Sequence, residues 1–205
     1  MSKTGIVAVA SKSGHQLHEE AMKARQRLLL PSMGRIVLPF QKLLEMHLRN
    51  AYEVELDVLD DDDPMLSGAH AAYNYAERCL KLRRSVHSKL PIEEPEACFT
   101  VCHEIGHIHL HSNPLSFRRI ASNQLPSRWC DPEVQADRFA REFMFDREFI
   151  KDQNPSNETL ARYFRMPVRE MKLLLEELKA EGVLARPQKM DGEKYWEAQQ
   201  GDFDF

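Results

Sequence analysis

The stretch from Phe99 to His111, FTVCHEIGHIHLH, places four histidines and a glutamate within thirteen positions of an otherwise largely apolar segment. Bounded by Pro95 upstream and Asn113-Pro114 downstream, a run of this length and content reads as a buried helix. Burying titratable side chains costs free energy unless hydrogen bonds, counter-charges or a metal compensate them. The fold must therefore be built round this helix and must bring partners to it.

His103 and His107 are four residues apart, so their imidazoles leave one face of a helix about one turn apart and can share one metal ion. Glu104 sits about 100° further round, from where a carboxylate can reach a water on that ion without ligating the ion itself. In such a site the metal lowers the pKa of the water and polarises a carbonyl, and the glutamate takes the proton. H-E-x-x-H also arises by chance, so the pattern needs a third ligand.

Catalytic zinc usually takes three protein ligands. Glu133, in the first turn of the next helix, is the leading candidate, and Asp137, four residues on, faces the same way. Ala136, Ala140 and Gly106 would let the two helix backbones approach closely. Asp137 suits an acceptor for the free ring nitrogen of a ligand histidine. The plainer reading of Glu133 and Asp137 is an acidic helix N-terminus favoured by the dipole; the pairing of ExxAD with HExxH weighs against it. Three histidines at i, i+4 and i+8 spread over about 12 Å, too far for one ion, and His109 points to another face. His109 and His111 therefore read as structural or substrate-side groups. Cys98 and Cys102 offer a rival Cys/Cys/His site, but no second Cys or His pair follows at zinc-finger spacing.

Length and composition set wide bounds. A chain of 205 residues, 42% hydrophobic and 29% charged, can bury one core with room for a small appended subdomain. A net charge of -4 with a pI near 6.1 argues against global attraction to nucleic acid or anionic lipid. No apolar run approaches the roughly 20 residues of a membrane span, and the N-terminal apolar centre is too short for a signal peptide. A cytoplasmic location with reduced thiols at Cys79, Cys98, Cys102 and Cys130 is expected.

Helical spacing predicts helices over 14–30, ending before Pro31, and over 38–51. YEVELDVL alternates as a half-buried strand does, and the aspartates at 60–63 close it. MLSGAHAAYNY and RCLKLRR are predicted as further strands of a small antiparallel sheet. RCLKLRR is placed at the edge nearest the metal helix, where Lys81, Arg83 and Arg84 would protect an exposed edge and an extended substrate could add as a strand. Residues 113–130 read as a loop, and a helix restarts with Asp131 as cap and Pro132 in the first turn. Two short helices follow, broken at Met166-Pro167 and ended by Gly182, and a frayed polar tail finishes the chain. They have a helix-turn-helix outline, but between 151 and 184 six basic residues balance six acidic ones. Phosphate contacts dominate DNA affinity, so packing or partner docking is expected of this pair and direct nucleic-acid contact is not.

FTVCHEIGHIHLH followed by EVQADRFAREFMF resembles the ImmA/IrrE metallopeptidases, in which a phenylalanine-threonine lead into H-E-x-G-H precedes a helix reading E-x-x-A-[N/D]-x-F-A. The resemblance is specific over about 95–150 and looser upstream. It implies an α+β, zincin-like metallopeptidase domain over 1–150, with a C-terminal helical segment and tail over 151–205 packed on it. It further implies one zinc ion on His103, His107 and Glu133, with Glu104 as general base. The glutamate ligand is similar to that of thermolysin-like gluzincins, which also place an aspartate four residues after it. FMFDREFI stands where the family commonly has Leu-Leu-Met-Pro, and Asp137 replaces the commoner asparagine; neither change touches a ligand. Such enzymes typically cleave helix-turn-helix repressors, some encoded beside them in toxin-antitoxin-like pairs, so a regulator of that kind is the implied substrate and partner. Two other readings are a non-enzymatic zinc-binding partner and a DNA-associated regulator with a degenerate peptidase domain. Intact Glu104 argues against both, because a structural site needs ligands but no base. Tyr73, Tyr75, Arg83, His109 and Tyr163 are candidates for stabilising the substrate carbonyl, and spacing alone does not place them.

Overall fold

The computed structural model describes residues 6–30, 39–66, 68–112, 118–120, 127–150 and 155–184. The architecture is α+β: helices enclose one apolar core, and a small sheet covers one side of it. Among the described residues no helix is long and apolar enough to cross a membrane.

Strand β1 (Ile6–Ala8) leads into helix α1 (Gly14–Arg27). Ser13 caps α1 in a reciprocal box with Gln16, which satisfies donors that the first helical turn leaves unpaired. The second predicted helix exists as three continuous pieces: α2 (Phe40–Lys42), a π-helical stretch (Leu43–Leu48) and α3 (Arg49–Tyr52). Leu43, Leu44 and Leu48 stay buried throughout. Glu53, in the left-handed region at φ 55°, turns the chain into β2 (Glu55–Leu59).

Strands β3 (Ala71–Asn74) and β4 (Cys79–Arg83) form a hairpin whose turn is held by the Asn74 side chain, which accepts from the Ala76 and Glu77 N–H groups. The sheet is mixed, which corrects the antiparallel expectation. β3 pairs antiparallel with β4, but β2 runs parallel to β4, with Glu55 opposite Cys79 and Leu59 opposite Arg83. The strand order β2-β4-β3 puts β4 in the centre, so RCLKLRR is not the edge strand. Leu80 and Leu82 share one face of this central strand and are wholly buried against the core. Its basic residues are compensated locally, Lys81 by Glu77 at 2.9 Å, Arg84 by Asp60 at 2.9 Å, and Arg83 by the carbonyls of Ala69 and Asp61. β3 takes the edge that packs against the metal helix. A short helix, α4 (Arg84–His87), follows β4.

Helix α5 (Pro95–Leu110) carries the opening motif. Pro95 occupies its first turn, where a missing N–H costs nothing, and the Glu94 carboxylate accepts from the Ala97 N–H. Cys98, Val101, Cys102 and Ile105 are fully buried, so α5 runs through the core. Within the segment read as loop, β5 (Arg118–Ile120) pairs antiparallel with β1. Helix α6 (Pro132–Met144) starts where expected, with the Asp131 carboxylate accepting from the Glu133 N–H at 2.9 Å.

Helices α7 (Asn157–Phe164) and α8 (Val168–Ala180) meet at the Met166-Pro167 break. Leu160, Phe164, Met171, Leu174 and Leu178 join the same core cluster as α5 and α6. Arg138 and Arg141 of α6 pair with Glu170 and Glu177 of α8 and with Glu181 beyond its end. Three of the segment's six acids, Glu170, Glu177 and Glu181, are thus paired with the arginines of α6. The polar tail lies outside the described residues.

Candidate metal centre

Helices α5 and α6 cross at a glycine. A Cβ on Gly106 would lie 3.0 Å from Phe139 Cδ1, 3.2 Å from Ala136 Cα and 3.3 Å from the Ala136 carbonyl oxygen. Only a residue without a side chain admits this approach, and it brings the first turn of α6 over the histidine face of α5.

There His103 Nε2 and His107 Nε2 lie 3.0 Å apart, and Glu133 places one carboxylate oxygen 3.3 Å from the first and the other 3.5 Å from the second. Among the described residues this is the one group of three such side chains whose donor atoms converge, all within 4.8 Å. An ion with roughly 2.0–2.1 Å bonds at tetrahedral angles has ligand atoms about 3.3 Å apart. The nearest separations are of this order, with the two histidines met by different oxygens of Glu133, so the donor set can close round a single ion. Asp137 accepts from His103 Nδ1 at 2.8 Å, which leaves Nε2 for the shared centre.

The electrostatics also call for a cation. Burial disfavours a charged His103, but its hydrogen bonds to Asp137 and Glu133 outweigh that and push its pKa up to about 10. Hydrogen bonds from His103 and His107 hold the Glu133 carboxyl well below the usual range. A proton on His103 can stand in the metal-free site where a metal would carry positive charge.

Glu104 lies beside the cluster, only 7% exposed. Burial pushes its carboxyl up; Glu133 adds to this, while His103, His107 and a hydrogen bond from the Tyr73 N–H of β3 oppose it. Glu133, by contrast, is exposed, so the centre opens to solvent on that side.

Of the five candidates for carbonyl stabilisation, the structure brings two to this place. Tyr73 offers its backbone N–H to Glu104, and burial together with the charges of Glu104 and Glu133 raises the Tyr75 phenol. His109 is turned away, bonded to the Tyr52 hydroxyl at 2.7 Å and to Glu20 at 3.0 Å. Tyr163 stacks on Phe149, and Arg83 is held by backbone carbonyls. The rival cysteine site does not assemble: among the described residues the converging donors are those of His103, His107 and Glu133, and Cys98 and Cys102 are buried in the core. Burial pushes the Cys98 thiol up to about 12 and that of Cys102 well above its usual value, as expected of cysteines packed in a core.

Residues 87–175 match the model of the IrrE N-terminal-like domain, Peptidase_M78. This segment is similar to an IrrE N-terminal-like domain. It contains α5, α6 and most of α8, so all four residues of the motif pair, His103, Glu104, His107 and Glu133, fall inside it. A solved structure of a Mycobacterium tuberculosis transcriptional regulator aligns with 86% of this chain at a TM-score of 0.55 and 13% identity. The chain spans about half of that protein, 49% of its length, and the likeness concerns the fold. No curated protein matches the chain in sequence.

Two residues next to the centre were not singled out by sequence reasoning as partners of the ligands. His111, 1% exposed, sits with Nδ1 3.3 Å from His107 Nδ1, and its Nε2 faces Gln135 Oε1 at 3.1 Å. The available signal was a fully buried glutamine two residues after Glu133, on a helix whose other buried positions are apolar, alanine or ion-paired.

Proposed function

We propose that this domain is a zinc-dependent endopeptidase. His103, His107 and Glu133 would hold one zinc ion, and Glu104 would serve as general base. The observation that carries the reading is a converging His-His-Glu cluster with a buried carboxylate beside it that is not itself among the ligands. A structural site has no use for that carboxylate. When bound, zinc would supply a Lewis acid and lower the pKa of a water.

The chain's own groups account for the rest. Glu104, pulled up by burial and down by the histidines, is poised to take a proton and return it to the leaving amine. Asp137 holds His103 in one orientation, and Tyr75 has a hydroxyl in the field of Glu104 and Glu133 from which it can donate to a developing oxyanion. The β3 edge beside α5 offers backbone groups to an extended peptide. A flexible segment of about 6 to 10 residues is needed for such pairing, which an interdomain linker supplies and a folded core does not.

A helix-turn-helix transcriptional repressor is the proposed substrate and partner, supported by the family resemblance. The test is incubation of zinc-loaded protein with a repressor of this kind, wild type beside Glu104→Gln. The wild type should cut in a linker or exposed helix, with little action on unfolded casein, and the variant should keep zinc but not cut. Cleavage by Glu104→Gln at the wild-type rate refutes the mechanism. Broad digestion of unfolded proteins refutes the single-partner reading, and tight binding of the repressor with no cleavage favours a non-enzymatic partner.

A further inference from the structure

We propose that the cavity beside the β3 edge is a specificity pocket that receives one large, uncharged apolar or aromatic side chain of the substrate strand. The inference rests on the peptidase reading above and on the pairing of substrate with β3, and it assigns a side-chain class to that substrate.

The register of the hairpin fixes which groups the edge presents. Ala71 lies opposite Leu82 and Tyr73 opposite Leu80, and the Arg83 N–H donates to the His70 carbonyl at 3.0 Å. Bonded pairs alternate along an antiparallel ladder, so His70, Ala72 and Asn74 turn their N–H and C=O groups to β4, while Ala71 and Tyr73 turn theirs away. The hydrogen bond from the Tyr73 N–H to Glu104 agrees with this, since it leaves the sheet on the side of α5.

The side chains divide between two faces. Ala71 and Tyr73 share the face of the buried Leu82 and Leu80, and Ala72 and Asn74 share the opposite face with Lys81 and Cys79. A cavity of about 490 Å³ is walled from both: by Ala72, Asn74 and Lys81, by Tyr73 with Tyr75 just past the strand, and by Met65 of the short 3-10 turn Pro64–Leu66. It therefore lies at the edge of β3 and not beneath the sheet. Tyr73 joins it to the metal centre, because its N–H reaches Glu104 and its ring meets that of Tyr75 edge-on at 4.8 Å. A strand added to β3 continues the alternation, so one of its side chains enters this cavity while the neighbours on either side face α5. Ala72 and Asn74 flank Tyr73, so that residue lies within about two positions of the bond that is cut.

Charge decides what fits. Lys81 is only 7% exposed, and its ammonium is held by Glu77 at 2.9 Å. An acidic side chain would compete with Glu77 and enter the field of Glu104 and Glu133, whose charges already act on the Tyr75 phenol. A basic one would meet the Lys81 ammonium. An uncharged side chain disturbs neither, and it can cover the Lys81 stem, the Met65 thioether, the Ala72 methyl and the tyrosine rings. Asn74 fixes the wall at the turn, its side-chain oxygen accepting from the Ala76 and Glu77 N–H groups, so this part of the pocket is formed before a substrate arrives.

The test reads binding separately from cleavage. Peptides of about ten residues, carrying Leu, Phe, Asp or Lys at each position in turn, are titrated onto the zinc-loaded full chain bearing Glu104→Gln. One position should prefer Leu or Phe over Asp and Lys by about tenfold or more in affinity, and the methyl NMR signals of Ala72 and Met65 should shift as those peptides bind. Ala72→Leu, which fills the cavity, should lower that preference about tenfold. Met65→Ala, at an exposed side chain whose loss the fold tolerates, should lower it about three- to tenfold. A charged residue preferred at that position, Ala72 and Met65 signals unmoved by every peptide, or a preference unchanged in both variants overturns the proposal. If Ala72→Leu fails to fold, Met65→Ala and the methyl signals decide. Peptides that bind in the stated way but are never cut by the zinc-loaded wild type overturn the peptidase reading and leave the pocket standing.

Discussion

Gly106→Ala tests whether the close crossing of α5 and α6 builds the metal centre. On propensity alone the change should stabilise, since alanine in a helix interior is better than glycine by about 1 kcal/mol. The crossing opposes it. The new Cβ would meet Ala136 Cα at 3.2 Å and the Ala136 carbonyl at 3.3 Å, inside the 3.4–4 Å of ordinary contact, with Phe139 at 3.0 Å. Two of those three atoms are backbone of a buried helix and cannot rotate away, so α6 itself must shift by a few tenths of an ångström. Overpacking of this kind costs about 1–3 kcal/mol, so the net effect on the metal-free protein is a loss of about 1 kcal/mol. The larger effect falls on the metal. Glu133 rides on the displaced turn, and metal sites tolerate errors of only about 0.2 Å, so zinc affinity should drop about tenfold or more, removing about 1.4 kcal/mol of zinc-dependent stabilisation. Denaturant unfolding with and without zinc, plus chelator competition, reads both quantities. A variant that is more stable than wild type and binds zinc equally well would refute the argument that this approach sets the ligand geometry.

Zinc binding should release about one proton near pH 8, and apparent affinity should rise about tenfold per pH unit below about 10, because the ion must displace the proton that raises the His103 pKa; calorimetry in buffers of different ionisation enthalpy measures this, and a pH-independent affinity contradicts it. Tyr75→Phe should lower kcat by about 10²-fold with zinc content unchanged, as expected for loss of one oxyanion donor; unchanged kcat would remove Tyr75 from the site. Arg138→Met should cost about 3–5 kcal/mol in denaturant unfolding, because it strips a partner from the buried Glu142 carboxylate and from Glu177. Burial opposes ionisation of Glu142, but hydrogen bonds from His18 and Arg147 and the charges of Arg138 and Arg147 hold its pKa down at about 2. A carboxyl depressed on folding stabilises above its unfolded pKa, so this contribution is complete above about pH 4.5 and is lost as pH falls toward 2. Acid titration of stability should show a shallower slope in Glu142→Gln over that window.

What the sequence made legible was local. The i, i+4 spacing of His103 and His107, the Asp131 cap with Pro132, and the Glu133–Asp137 stripe are all set within one or two helical turns, and the structure places these elements as expected. The plan of a metal helix facing an acidic helix also followed from small residues, as the contacts at Gly106 show. Strand placement did not follow. RCLKLRR carries basic residues that suit an edge, but its position depends on which strands flank it, and nothing in its own alternation distinguishes the centre of a three-stranded sheet from its rim. β1 and β5 are three residues each and exist only through their mutual pairing, which leaves no periodic trace. Likewise the Gln135 side chain is buried against the carbonyls of Ala10 and Trp129, and the former lies 125 residues from it in the chain.

Zinc binding to wild type, Glu133→Ala and His109→Ala, followed by competitive titration, tests the metal centre most directly. The account predicts one zinc per wild-type chain, the same stoichiometry and affinity in His109→Ala, whose ring is committed to Tyr52 and Glu20, and severe loss in Glu133→Ala. Equal zinc content in Glu133→Ala and wild type would contradict it, since the ion would then be held elsewhere or by other ligands.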